Sequence, residues 1–96
     1  REVFAGSPIK RIGRDRFIRN VMIAIGNASQ KTDKTRLVEL CIQKLDDASP
    51  LVRGASVWAL GSLSPPAFET ERRNRRHAES DPGVCEEWDA GPERHA

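Results

Sequence analysis

Apolar residues recur along the chain at helical spacing, and nowhere do they alternate as a half-buried strand would. The centre of the first periodic segment, Val21-Met22-Ile23-Ala24-Ile25, is apolar on all sides, which predicts a helix covered by neighbours on several faces. Asp15 is its expected cap, Arg16 to about Ile25 its body, and Gly26-Asn27 its end. A second helix is expected to start at Thr32 or Asp33. It turns Leu37, Val38, Cys41, Ile42 and Leu45 to one side and Lys34, Glu39 and Lys44 to water, and it ends at Asp46-Asp47-Ala48. Ser49-Pro50 then reads as an N-cap followed by proline at the first helical position. The helix it opens runs to about Leu63, with Val52, Ser56, Ala59 and Leu63 inward. The small residues Ala55, Ser56 and Ala59 let a neighbour approach closely.

Ser64-Pro65-Pro66 repeats the start signal for a fourth helix, roughly 67–79, and Ser80-Asp81-Pro82 does so for a short fifth. Gly6-Ser7-Pro8 and Gly13 mark residues 1–14 as a basic loop. The expected organisation is therefore a loop over 1–14, repeat helices over 15–64, C-terminal helices over 65–90 and a frayed tail over 91–96. Phe17-Ile18-Arg19 matches Leu51-Val52-Arg53 at an offset of 34, and Ala24-Ile25-Gly26 matches Ala59-Leu60-Gly61 at 35. A degenerate period in the mid-thirties with two helices per unit predicts an all-α helical repeat, a short α-α superhelix.

At 96 residues the chain makes one small domain at most. Tyrosine is absent and aromatics reach only 5%, so Leu, Ile, Val and Ala must build the core. No run approaches the roughly 18 apolar residues that span a bilayer, and no secretory segment is present, so a cytoplasmic setting without a membrane partner is expected. The first residue is Arg1, from which a piece of a larger protein is expected. Cys41 and Cys85 are the only cysteines and read as two reduced thiols. They cannot supply a four-thiolate cluster, and His77 and His95 lack ligand spacing to them, so no metal site is expected.

The net charge of +2 is unevenly spread: +4 over residues 1–20, +1 over 21–64 and −3 over 65–96. A basic N-terminal edge with an acidic tail suits a polyanion docked at one end. Arg72-Arg73-Asn74-Arg75-Arg76 also looks like a nucleic-acid signal, but Glu69 and Glu71 stand four residues before Arg73 and Arg75, which favours an ordinary charged helix face. Arg53 reads as an ion-pair partner of Asp46, Asp47 or the next repeat, with RNA contact as the rival. Trp58 reads as inter-helix packing rather than a base-stacking platform. Asp46-Asp47 reads as capping or solvated, with nothing beside it to make a catalytic pair.

The stretch from Asp47 to Gly61, with Ser49-Pro-Leu-Val-Arg-Gly-Ala-Ser-Val-Trp-Ala-Leu60 at its heart, resembles the short HEAT repeat of phycobilisome-lyase-like proteins. Such a likeness speaks to architecture and hardly to function. With Gly6-Ser-Pro-Ile-Lys-Arg11 and Arg19-Asn-Val21, it resembles more specifically the C-terminal region of the epoxyqueuosine reductases, over about residues 3–63. More loosely, Glu79-Ser-Asp-Pro82 and Glu87-Trp88 extend the likeness. That resemblance implies a parent oxidoreductase that completes queuosine at the tRNA wobble position. It implies two [4Fe–4S] clusters and cobalamin in the parent, and helical repeats that help hold the anticodon arm.

The chain departs from the family pattern in lacking the C-x₂-C-x₂-C-x₃-C-P run and any cobalamin-binding region. Alone it is expected to be inactive and to bind no cofactor, with the missing N-terminal catalytic region as one partner and the tRNA anticodon stem-loop as the other. Lys10, Arg11, Arg14, Arg16, Arg19 and Arg53 are the candidate phosphate contacts, and Asn20 could reach a base edge or 2′-hydroxyl. The alternative is a HEAT-type protein-interaction module. The two differ in a visible feature: RNA docking needs the cations of residues 6–20 to converge beside the third helix, whereas a protein groove shows exposed apolar residues there.

Overall fold

The computed structural model describes the backbone of residues 8–27 and 34–91, and side chains from residue 13 onward within those ranges. The described residues are helical, with no strand among them. The elements are α1 (Pro8–Gly26), α2 (Lys34–Lys44), α3 (Pro50–Leu63), α4 (Pro65–Arg75) continued by a 3-10 turn (Arg76–Ala78), and α5 (Pro82–Ala90).

Three of the helix starts follow one chemical recipe. Ser49, Ser64 and Asp81 each hold an extended backbone and accept a main-chain N–H from Val52, Ala67 and Val84, at 3.5, 3.3 and 3.0 Å. Proline follows each cap, where its missing N–H costs nothing. Gly91, at φ 71°, supplies the positive φ that ends α5. The fourth helix is shorter than expected: α geometry stops at Arg75 and the chain tightens to 3-10 through Ala78.

The first helix departs more. It begins at Pro8 rather than after Asp15, so residues 8–14 are helix and not loop. Asp15 caps nothing; it is 8% exposed and accepts the Arg14 guanidinium at 2.7 Å. Gly13, the supposed breaker, lies within α1, where a Cβ would meet nothing within 4 Å. One helical glycine costs about 1 kcal/mol relative to alanine, which burial of α1 against α3 exceeds. Residues 1–7, 28–33 and 92–96 lie outside the described residues, and with them the rest of the basic loop, the cap at Thr32 or Asp33 and the tail from residue 92.

α3 is the central element. α1, α2, α4 and α5 all pack on it, α1 most extensively. Val52, Ser56 and Ala59 are wholly buried and Leu63 is nearly so, as its spacing predicted; Val57 and Leu60 are buried as well. The Ser56 hydroxyl donates to the Val52 carbonyl at 2.8 Å, which satisfies the polar group within the helix. On α2 Cys41 is buried, as is Leu45 just past its end, and Leu37, Val38 and Ile42 pack beside them. Met22 of α1, Phe68 of α4 and Val84 and Trp88 of α5 complete the core, with the Phe68 and Trp88 rings tilted at 5.2 Å. Burial pushes the Cys41 thiol up to about 11, and both Cys41 and Cys85 are free thiols.

α1 and α3 run in the same direction. Arg14 meets Asp47 at one end, and Ser62 donates to the Gly26 carbonyl at the other. α5 follows the same sense on the far side of α3, with Glu79 and Asp81 near Arg53 and Glu87 near Gly54. Three parallel helices thus share one layer, and α2 and α4 return the chain against α3.

Candidate functional site

The candidate cations separate into groups with different surroundings. Lys10 and Arg11 lie in the first turns of α1, and their side chains fall outside the described residues. Arg14 donates to Asp15 at 2.7 Å and, with both terminal nitrogens, to Asp47 at 2.7 and 3.3 Å. The Arg14 hydrogen bond holds the Asp47 carboxyl below its usual range. Hydrogen bonds to Asp47 first and Asp15 second raise the Arg14 guanidinium in turn. Arg16 is exposed. Arg19 is exposed too and donates to the neutral Asn20 amide oxygen at 3.0 Å.

Arg53 is the most thoroughly engaged. Its guanidinium grips Glu79 through two hydrogen bonds, 3.0 and 2.8 Å, and donates to the carbonyls of Asp47 and Ala48, each at 3.0 Å. Only 19% of its side chain and 10% of that of Glu79 remain exposed. The Arg53 bond lowers the Glu79 carboxyl, and the Glu79 bond raises Arg53. Ion pairing thus accounts for Arg53, through Glu79 rather than Asp46 or Asp47.

The later arginines are also occupied. Arg72 bonds Glu69 at 2.8 Å and the Trp88 carbonyl at 3.1 Å, and lies 5.6 Å from the centroid of the Phe68 ring. Glu69 therefore meets Arg72, one residue short of the expected Arg73. Arg75 joins Glu71 and Asp46, and Arg76 joins Asp89. Asp46 and Asp47 part company, one to Arg75 and the other to Arg14 and the Ser49 N–H. A polar cleft of about 300 Å³ includes Arg53 and Arg75, both already in ion pairs.

Beside α3 lies a feature that the candidate residues did not include. A groove of about 540 Å³ opens on the α1–α3–α5 layer, with Leu51, Ala55 and Trp58 of α3 along it and Ile23 of α1 beside them. Arg19 lines it from α1, and Asp81, Gly83 and Glu87 from the α5 side. Trp58 does pack between helices, since a Cβ on Gly26 would come within 2.4 Å of its ring, yet it is only half-buried and also lines the groove. Leu51 is 42% exposed. The stripe Leu51, Gly54, Ala55, Trp58 has i, i+3, i+4, i+7 spacing, the signal by which the groove floor could have been found.

The chain is 41% identical to an epoxyqueuosine reductase of Alicycliphilus denitrificans over 59 aligned residues, and 40% identical to one of Xanthomonas campestris pv. campestris over 55. Over that stretch it is similar to the epoxyqueuosine reductases. The resemblance read from the sequence is thereby borne out. The alignments cover 57% of this chain but only 16% and 15% of those proteins, so most of an epoxyqueuosine reductase lies outside the region of likeness. No family model and no solved structure matches the chain.

The [4Fe–4S] clusters that the family resemblance implies do not fit the donors of this chain. A [4Fe–4S] cluster takes four thiolates, whereas two cysteines are present, one of them buried in the apolar core with its thiol held protonated. Among the described residues no group of three or more His, Cys, Asp or Glu could hold a metal ion. No helix there is long and apolar enough to cross a membrane.

Proposed function

We propose that this chain is the C-terminal helical module of an epoxyqueuosine reductase, folded as a short HEAT-like superhelix that helps hold the tRNA anticodon stem-loop. The likeness to two epoxyqueuosine reductases is the observation that carries this reading. The parent would be the oxidoreductase of queuosine formation, a cytoplasmic enzyme whose clusters and cobalamin sit in its missing N-terminal region. One layer of parallel helices with return helices behind it is the arrangement expected of such a repeat.

Within this reading Arg16 and Arg19 meet phosphates and Asn20 a sugar or base edge. They stand exposed on α1, and neither arginine forms an ion pair with a carboxylate among the described residues. Lys10 and Arg11, on the same helix, are further phosphate contacts in this reading. Arg14 and Arg53 take a supporting part, since their guanidinium groups are held by carboxylates.

Filter binding of an anticodon stem-loop across a salt series tests the assignment. Replacing Lys10, Arg11, Arg16 and Arg19 by Ala should lower the slope of log affinity against log salt by about 3–4 units, if each neutralises one phosphate. Replacing Arg72, Arg73, Arg75 and Arg76 should leave the slope nearly unchanged. The reverse pattern would place the RNA elsewhere. A second reading, a HEAT-type protein-interaction module, is favoured by one observation: the surface beside α3 is an apolar groove.

A further inference from the structure

Of the described residues that line the groove on the α1–α3–α5 layer, Arg19 alone has a part in holding RNA as proposed above, and the chemistry of the rest points to a different class of partner. Leu51 lies in the first turn of α3, where a polar residue would serve the helix start equally well, yet it leaves a large apolar side chain 42% exposed. Ala55 and Trp58 continue that surface one and two turns on, and Ile23 lines it from α1. At about 540 Å³ the groove falls in the range of roughly 300–1,000 Å³ typical of ligand pockets. Apolar floors of this kind accept one or two anchoring side chains, which carry most of the energy of a small interface.

The charges around it select the anchor. Among the described residues one cation, Arg19, lines the groove from α1, against two carboxylates, Asp81 and Glu87, from the α5 side. Asp81 uses one oxygen to cap α5 by accepting the Val84 N–H. A carboxylate has about four acceptor positions, so the roles it plays within the fold leave room for an incoming donor. A nucleic-acid strand laid here would set phosphates against two carboxylates, whereas a cationic side chain would meet favourable charge.

We infer that this groove docks a protein segment carrying an apolar side chain next to a lysine or arginine, the apolar group on Leu51, Ala55 and Trp58 and the cation toward Asp81 and Glu87. The inference rests on the protein-interaction reading and specifies its partner.

Trp58 reports on the groove, so tryptophan emission of the chain can be followed in titrations with three probes. These are a blocked hexapeptide of alternating leucine and arginine, its leucine–glutamate counterpart, and a six-nucleotide oligouridylate. The basic peptide should bind about tenfold tighter than the acidic one at low salt, the difference expected of one or two charge contacts. Leu51→Ser should weaken the basic peptide about fivefold or more with the helical circular dichroism unchanged, and Leu51→Met should restore it. Asp81→Asn keeps a capping oxygen while removing the charge, and should narrow the preference between the peptides about threefold. Equal binding of both peptides would overturn the charge assignment and leave the groove as a protein site. Binding of neither would sink the protein-interaction reading as well. Oligouridylate binding that Leu51→Ser weakens would give the groove to nucleic acid.

Discussion

Replacing Arg53 by Met should destabilise the fold without moving the salt slope of RNA binding. The side chain makes four hydrogen bonds, two to Glu79 and two to main-chain carbonyls of the turn before α3. An exposed ion pair contributes about 0–1 kcal/mol, while removing one partner of a buried pair costs about 3–5 kcal/mol. With side-chain exposures of 19% and 10%, the Arg53–Glu79 pair sits nearer the buried limit, so about 2–3 kcal/mol is expected. In a domain of this size each kcal/mol shifts the melting temperature by about 4–8 °C, giving a fall of roughly 10–20 °C. Thermal unfolding followed by circular dichroism at 222 nm reads this directly. A double-mutant cycle with Glu79→Gln should return a coupling of about 1 kcal/mol or more. The pH dependence carries an independent sign. Because the folded Glu79 carboxyl lies below its ordinary value, its contribution is complete above the ordinary glutamate range and is lost as pH falls through the lowered folded value. Arg53→Met should therefore flatten the acid limb of stability. A melting temperature within about 3 °C of the parent chain, together with weakened RNA binding, would refute the bracing role and return Arg53 to the RNA surface.

Three further outcomes follow from packing. Ala59→Asp places an unpartnered carboxylate at a wholly buried position and should cost roughly 3 kcal/mol or more, seen as lost helical signal; an unchanged melting curve would show the inward face of α3 misassigned. Gly26→Ala sets a methyl 2.4 Å from the Trp58 ring and 3.1 Å from the Ala59 Cα; about 1–3 kcal/mol of overpacking should outweigh the roughly 1 kcal/mol helix-propensity gain, with a shift in tryptophan emission. An increase in stability there would mean the α1–α3 contact is looser than described. Cys85 should react with a thiol reagent at pH 8 well before Cys41, whose thiol is buried and raised to about 11, and unfolding should abolish the difference.

What the sequence disclosed about the fold, it disclosed through local chemistry. Ser49-Pro50, Ser64-Pro65 and Asp81-Pro82 announce three helix starts because the cap, the proline and the first N–H groups lie within four residues of each other. Ser7-Pro8 is the same pair of residue types, and α1 begins at Pro8, yet beside Gly6 and Gly13 it reads as the mark of a loop over residues 1–14. A single glycine is a cost of order 1 kcal/mol rather than a stop, and tertiary burial decides the matter. The site was less legible because its partners are far apart in the chain. Arg14 and Asp47 are separated by 33 residues, Arg53 and Glu79 by 26, Arg75 and Asp46 by 29. Such pairs depend on how successive helical units stack, which periodicity within one helix does not specify. The groove shares this origin, since three helices contribute to it and only the α3 stripe is visible as spacing.

The parallel layer itself explains why a count of basic residues misleads in this chain. Stacking α1, α3 and α5 in one direction brings the N-terminal ends of α3 and α5 to one edge, where unpaired N–H groups and the positive ends of the helix dipoles favour carboxylates. Asp47 accepts the Ser49 N–H, Glu79 the Asp81 N–H and Asp81 the Val84 N–H, so three acids gather there for reasons of helix geometry alone. Half-buried carboxylates packed this closely call for counter-charge, and the neighbouring units supply it as Arg14 to Asp47 and Arg53 to Glu79. Two of the arginines that look available for phosphate are therefore consumed in neutralising the edge that this stacking creates. Arg16 and Arg19 escape this because they leave α1 in other directions, Arg19 toward the groove. In this helical stack, the cations open to a polyanion are those that remain after the helix N-termini have claimed theirs, and their number follows from the stacking rather than from the net charge.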